Sequence, residues 1–129
     1  MLQEVYLIQE FIEGKDLTNE ICPGKKFSEA EVIQLLRDVL EILVYVHDNK
    51  VIHRDIKPDN IMRRKDGKLV LIDFGAIKQI NTTTAMKSGS TTRTIRISTP
   101  GYTPLEQAMG KPKFSSDIYA LGMTVYQYY

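Results

Sequence analysis

His53-Arg54-Asp55-Ile56-Lys57-Pro58-Asp59-Asn60 lies between two strand signals, Val51-Ile52 before it and Asn60-Ile61-Met62 after it. Asp73-Phe74-Gly75 closes the next one, Leu69 to Ile72. The octapeptide gathers a carboxylate, an ammonium group two positions on and an amide five positions on, and the triplet adds a second carboxylate. Taken singly, Asp55 and Asn60 are ordinary turn residues and Asp73 an ordinary strand end. That reading explains each residue but not the set. Between the two motifs, Lys65-Asp66-Gly67-Lys68 carries the Asp-Gly signature of a hairpin turn joining Asn60–Met62 to Leu69–Ile72.

Working outward, Ser28 with Glu31 forms a capping-box pattern ahead of a periodic segment. Val32, Leu35, Leu36, Val39, Leu43 and Val46 recur at three- and four-residue steps and predict one apolar face of a long helix ending near His47 to Asn49. Val5 to Phe11, rich in β-branched and aromatic residues, predicts a strand that Gly14 breaks. Asp16 is placed to cap a short turn through Leu17 and Ile21, and Pro23-Gly24 punctuates. Ala76 to Ile80 reads as a short strand, Asn81 to Thr99 as a mobile Thr- and Ser-rich loop, and Ser116 onward as a final helix. The chain has 129 residues, enough for one domain or part of one, and a net charge of +1, which gives no ground for bulk binding to nucleic acid or anionic membrane. Cys22 is the single cysteine, so no internal disulfide forms; it reads as a loop or packing residue. The first thirteen residues lack a basic leader, and no run is long and apolar enough to span a membrane. The expected location is cytoplasmic, with any membrane anchor outside this segment.

The two motifs resemble the catalytic loop and metal-binding motif of protein kinases, and the resemblance runs from the first strand to the last residue. It implies an α+β, protein kinase-like fold: a partial C-terminal lobe, mainly helical with short β-hairpins, and an N-terminal lobe mostly absent. Residues 1–129 are then one partial catalytic domain holding the hinge, catalytic loop, activation segment and start of the central helix. The physical chemistry agrees. Phosphoryl transfer requires a γ-phosphate held in line with a hydroxyl and its charge neutralised. Asp55 suits orienting that hydroxyl and accepting its proton, and Lys57 suits the moving phosphoryl group. Asn60 and Asp73 offer the hard oxygen ligands that Mg²⁺ takes beside ATP. Phe74, by its packing, sets whether Asp73 points into the site.

The resemblance implies further roles. Gln9 falls at the gatekeeper position, the backbone of Glu10 and Ile12 would bond adenine, Asp16 would reach the ribose hydroxyls, and Met62 would floor the adenine ring. For Asp16 a plain cap is the competing reading. His53 would pack beneath the loop; His47 reads as a helix-end residue. Thr99-Pro100-Gly101-Tyr102 and Pro104-Leu105-Glu106 resemble the peptide-positioning loop and the end of the activation segment, with Thr99 near Asp55 and Lys57 and Glu106 paired to an arginine later in the domain. Ser98 stands where the family has Gly, and Pro104-Leu105-Glu106 where it has Ala-Pro-Glu. Asp117 would begin the central helix and brace the backbone around His53 and Arg54, or simply cap that helix. Arg54 beside Asp55 implies activation by phosphorylation of the loop, at Thr91, Thr92 or Thr94.

Lys57 resembles serine/threonine rather than tyrosine kinases, Lys57 with the Thr99 to Glu106 segment argues against small-molecule kinases, and the wording from Pro100 to Gly122 is similar to bacterial kinases of this type. The expected partners are ATP and a protein carrying Ser or Thr. The 129 residues hold no Gly-x-Gly-x-x-Gly loop, and no Val-Ala-x-Lys strand precedes the first strand. The chain by itself is therefore expected to be incomplete and inactive. The alternative is a truncated, non-catalytic kinase fragment that acts only as a binding module.

Overall fold

The computed structural model describes residues 4, 6–75 and 99–129. Two long helices and a small sheet share one core. Helix α1 (Glu29–Asp48) begins at the expected capping box: Ser28 accepts from the Glu31 amide, and the Glu31 carboxylate accepts from Ser28. That exchange satisfies two amides no helical carbonyl can reach, and it holds the Glu31 carboxyl below its ordinary pKa. The helix ends without glycine. Lys50 takes a left-handed φ of 60°, its amide donates to His47 and that of Val51 to Val46, which closes the last carbonyls. The expected strand at Val51-Ile52 does not form, because these residues finish that closure and lead into the loop that starts at His53.

Strands β1 (Gly14–Asp16), β2 (Ile61–Arg64) and β3 (Leu69–Leu71) form an antiparallel sheet in that order. The β2–β3 hairpin turns at Asp66-Gly67 as the sequence indicates, with Gly67 at φ 87°. The expected strand at Val5–Phe11 is corrected: among its described residues none pairs, and Ile8 and Phe11 are 93% and 87% exposed. A β-prone run forms no strand without a neighbour to pair with and a surface to pack on. The strand starts instead at Gly14, opposite Arg64. A Cβ at Gly14 would sit 2.2 Å from the Arg63 carbonyl oxygen, so the residue read as a breaker is the one that admits the neighbouring strand.

Two 3₁₀ turns, Leu17–Asn19 and Pro58–Asn60, follow β1 and precede β2. A one-turn helix α2 (Leu105–Ala108) leads to α3 (Phe114–Tyr128), which packs on α1. Leu35, Val39 and Leu43 from α1 meet Leu17, Ile56, Ile61, Leu71 and Leu121 in the core. The expected strand at Ala76–Ile80, the loop from Asn81 to Ser98 and the candidate phosphorylation sites Thr91, Thr92 and Thr94 lie outside the described residues.

Candidate active site

The catalytic loop hangs from the core by the side chain of Ile56, 1% exposed, and reaches β2 through the Pro58–Asn60 turn. Arg54, directly before Asp55, has a φ of 74°, and Asp73 one of 53°. Non-glycine residues adopt such angles only where the surroundings hold them, and both flank the proposed chemistry.

Those surroundings are identifiable. Asp117, 1% exposed, accepts the His53 amide on Oδ2 and the Arg54 amide on Oδ1, both at 2.9 Å. The expected brace is present, but its origin is corrected. Asp117 is not the cap of α3; it lies inside the first turn, and the helix begins two residues earlier than Ser116. Ser116 makes that start possible, its hydroxyl accepting the Lys113 amide and donating to Glu106, each at 2.9 Å. Glu106 thus accepts from Ser116; the arginine that the resemblance implies for it is expected later in the domain. His47 Nε2 lies 2.8 Å from Asp117 Oδ2, so it supports the brace from α1.

His53 is fully buried. Its Nδ1 accepts the Asp55 amide at 3.1 Å and its Nε2 faces the Ile72 carbonyl at 2.8 Å. An amide can only donate and a carbonyl only accept, so the ring is the neutral Nε2–H tautomer. It packs against Phe74 with ring centroids 4.4 Å apart and planes tilted by 43°, and Gly75 donates to the His53 carbonyl at 2.7 Å. The loop and the Asp73-Phe74-Gly75 triplet are thereby tied together.

Both oxygens of the buried Asp55 carboxylate have partners. Oδ1 accepts the Thr99 hydroxyl at 2.9 Å and lies 3.8 Å from Lys57 Nζ; Oδ2 accepts Asn60 Nδ2 at 3.0 Å. Asn60 also donates to the Asp55 carbonyl at 2.8 Å, and its own carbonyl accepts the Ile72 amide, one residue before Asp73. With the Nδ2 protons committed to Asp55, the Asn60 Oδ1 is left to accept. The Asn60 amide oxygen and the exposed carboxylate of Asp73 are hard oxygen donors of the kind that would suit Mg²⁺. Among the described residues no three His, Cys, Asp or Glu gather as a metal cage, which such a cation does not need.

Asp16 and Met62 are register partners across β1 and β2. Asp16 caps the Leu17–Asn19 turn, accepting the Thr18 amide at 2.9 Å and the Thr18 hydroxyl. The turn is anchored by Glu20, which receives Arg63 Nε at 2.5 Å, and by Tyr128, whose hydroxyl lies 3.4 Å from Glu20. Glu10 and Ile12 line an open depression of about 320 Å³ with Phe11, Glu13, Arg64, Lys65 and Asp66. Asp16 and Met62 are not among the residues that line it.

Thr99 enters through a tight turn. Tyr102 donates to its carbonyl at 3.1 Å, Pro100 sits at the first corner and Gly101, φ 86°, at the second. Gln107, which sequence reasoning passed over, is 5% exposed and donates to the Arg54 carbonyl at 2.5 Å. No spacing pattern marks it, since it belongs to a helix of one turn.

The chain is 48% identical over 122 residues to serine/threonine-protein kinase PknA of Nostoc sp., covering 94% of this chain and 22% of that protein. It is 46% identical to serine/threonine-protein kinase C of Synechocystis sp., covering 95% of this chain and 23% of that one. The kinase domain of Mycobacterium tuberculosis PknI superposes with a TM-score of 0.65 at 23% identity, over 91% of this chain and 39% of that one, and so shares the fold. The chain spans less than a quarter of the length of these two curated relatives. The family model of the protein kinase domain matches residues 2–129, which include every residue the structure describes, and the chain belongs to that family.

Proposed function

We propose that this chain forms the catalytic-loop side of a serine/threonine protein kinase that moves the γ-phosphoryl group of ATP to Ser or Thr hydroxyls of proteins. The observation that carries the proposal is the Asp55 carboxylate, held from both sides by Thr99, Lys57 and Asn60. Asp55 orients the substrate hydroxyl and takes up its proton at a carboxylate oxygen. Lys57 offsets the charge that develops on the moving phosphoryl group. Asn60 and Asp73 would hold Mg²⁺, which when bound neutralises phosphate charge and keeps the phosphates in line. Asp16 and Met62 would position ribose and adenine, beside the backbone of Glu10 and Ile12. Thr99 sets the substrate loop against the base. Loop phosphorylation at Thr91, Thr92 or Thr94 is proposed as the activating switch, with Arg54 as the cationic partner. A cytoplasmic location, where ATP is supplied, is part of the same proposal.

The 129-residue chain alone is proposed to be inactive, since its sequence contains no glycine-rich phosphate loop. The test is a segment swap in which residues 6–129 replace their counterpart in the Nostoc kinase. The swapped enzyme should label a generic protein on Ser and Thr from ATP and Mg²⁺, and Asp55→Asn should abolish the label. The proposal fails if the swapped enzyme is folded and inactive while the parent is active.

A further inference from the structure

Arg54 is gripped at both ends of its strained backbone. Its amide goes to Asp117 Oδ1 at 2.9 Å and its carbonyl accepts Gln107 Nε2 at 2.5 Å. The two supports come from different elements, α3 and α2, and are themselves joined, because Glu106 next to Gln107 accepts the hydroxyl of Ser116 next to Asp117. A buried primary amide is costly unless its donors are used, so a residue needed only for packing at this position would be apolar. A left-handed residue also turns its carbonyl away from any regular ladder, so that oxygen needs a partner from elsewhere. Gln107 supplies it. Beyond Arg54 the chain continues directly to Asp55, whose amide is fixed by His53 and whose Oδ1 meets Thr99. The segment from Thr99 to Gln107 therefore touches the catalytic loop twice, once at the carboxylate of Asp55 and once at the peptide that aims it.

We propose that Gln107 is a positioning residue: its side-chain amide holds the Arg54–Asp55 peptide in the orientation that presents the Asp55 carboxylate, and so couples placement of the substrate loop to readiness of the base. The coupling to catalysis rests on Asp55 being that base; the hold on the peptide does not.

Two measurements separate these. In the 129-residue chain, amide hydrogen exchange followed by NMR is compared for wild type, Gln107→Met, which keeps length and loses the donor, and Gln107→Glu, which keeps shape and turns a carboxyl toward the carbonyl. Exchange at Arg54 and Asp55 should quicken about tenfold, as expected for one lost hydrogen bond, while Val39 and Leu43 in α1 stay as in wild type. Unchanged exchange at Arg54 and Asp55, or equal quickening at every amide, would make Gln107 a packing residue and overturn the proposal. In the swapped kinase, Gln107→Met should lower kcat about tenfold and leave KM for ATP unaltered. An unchanged kcat with a raised KM for the protein substrate overturns the coupling. Should the unmutated swap itself be inactive, the reading of Asp55 fails, and the exchange data still decide what Gln107 holds.

Discussion

Thr99 donates its hydroxyl to Oδ1 of Asp55 at 2.9 Å across 44 residues of sequence. The same oxygen lies 3.8 Å from Lys57 Nζ, so hydroxyl and ammonium together fix one side of the carboxylate. A hydrogen bond to a charged group contributes about 1.5–3 kcal/mol. In the swapped kinase, Thr99→Ala should therefore lower kcat by about ten- to a hundredfold, and Thr99→Ser should restore most of it. Equal rates for Thr99→Ala and wild type would show that the contact plays no part in turnover.

Asp117 holds two buried amides and meets His47 with one carboxylate. Asp117→Ala leaves both amides without an acceptor and should destabilise the fold by about 3 kcal/mol. Asp117→Asn keeps one acceptor oxygen and should lose less. Urea denaturation of both variants ranks them, and a loss for the alanine no larger than for the asparagine contradicts the double grip.

The Gly14 position tests the sheet. An alanine Cβ would press on the backbone carbonyl of Arg63, which no side-chain rotation relieves. The expected loss is about 2 kcal/mol, the scale of overpacking. A urea midpoint equal to that of wild type would mean that β1 does not pair with β2 as described.

Tyr128 gives a pH dependence. Its ring is 3% exposed, and burial, with the nearby Glu20 charge, raises its pKa well above the ordinary 10.0. The fold thus favours the neutral phenol. Its contribution is full below pH 10 and is lost as pH rises toward the elevated native pKa. The stability difference between wild type and Tyr128→Phe should shift against wild type between pH 10 and 11.5. A difference that stays flat over that window rules out the buried phenol.

Much of this was legible beforehand, and the misses have physical causes. Helix α1 was readable at both ends because its capping box and its three- and four-residue periodicity are local. The β2–β3 hairpin was readable because Asp66-Gly67 states its own turn. β1 was misplaced because its position depends on Arg64, 50 residues away, and on a clearance that only the folded sheet reveals at Gly14. The candidate residues Asp55, Lys57, Asn60 and Asp73 stand in two contiguous motifs, His53–Asn60 and Asp73–Gly75, whose resemblance to a known family marks them. The residues that hold them, Gln107 and Ser116 above all, are ordinary polar residues whose role exists only through partners distant in sequence.

Asp55 and Asp73 should fail differently when changed. Asp55 is 5% exposed and bonded to Thr99, whereas Asp73 is exposed, at a φ of 53°. Asp73 is held between two anchors, the Ile72 amide on Asn60 and the Gly75 amide on His53. The first of those anchors ties the residue before Asp73 to the Asn60 backbone, and under the proposed function Asp73 and Asn60 would serve the cation and Asp55 the hydroxyl. Asp73→Asn should thus weaken Mg²⁺-dependent nucleotide binding in the swapped kinase, with nucleotide affinity in EDTA unaffected. Asp55→Asn should leave Mg²⁺-nucleotide affinity near wild type and lower kcat by about 10²- to 10⁴-fold, the range for loss of a general base. Calorimetric titration with an unreactive ATP analogue, with and without Mg²⁺, separates the two. If Asp55→Asn weakens the Mg²⁺-nucleotide complex as much as Asp73→Asn does, the division of labour between the two carboxylates is wrong.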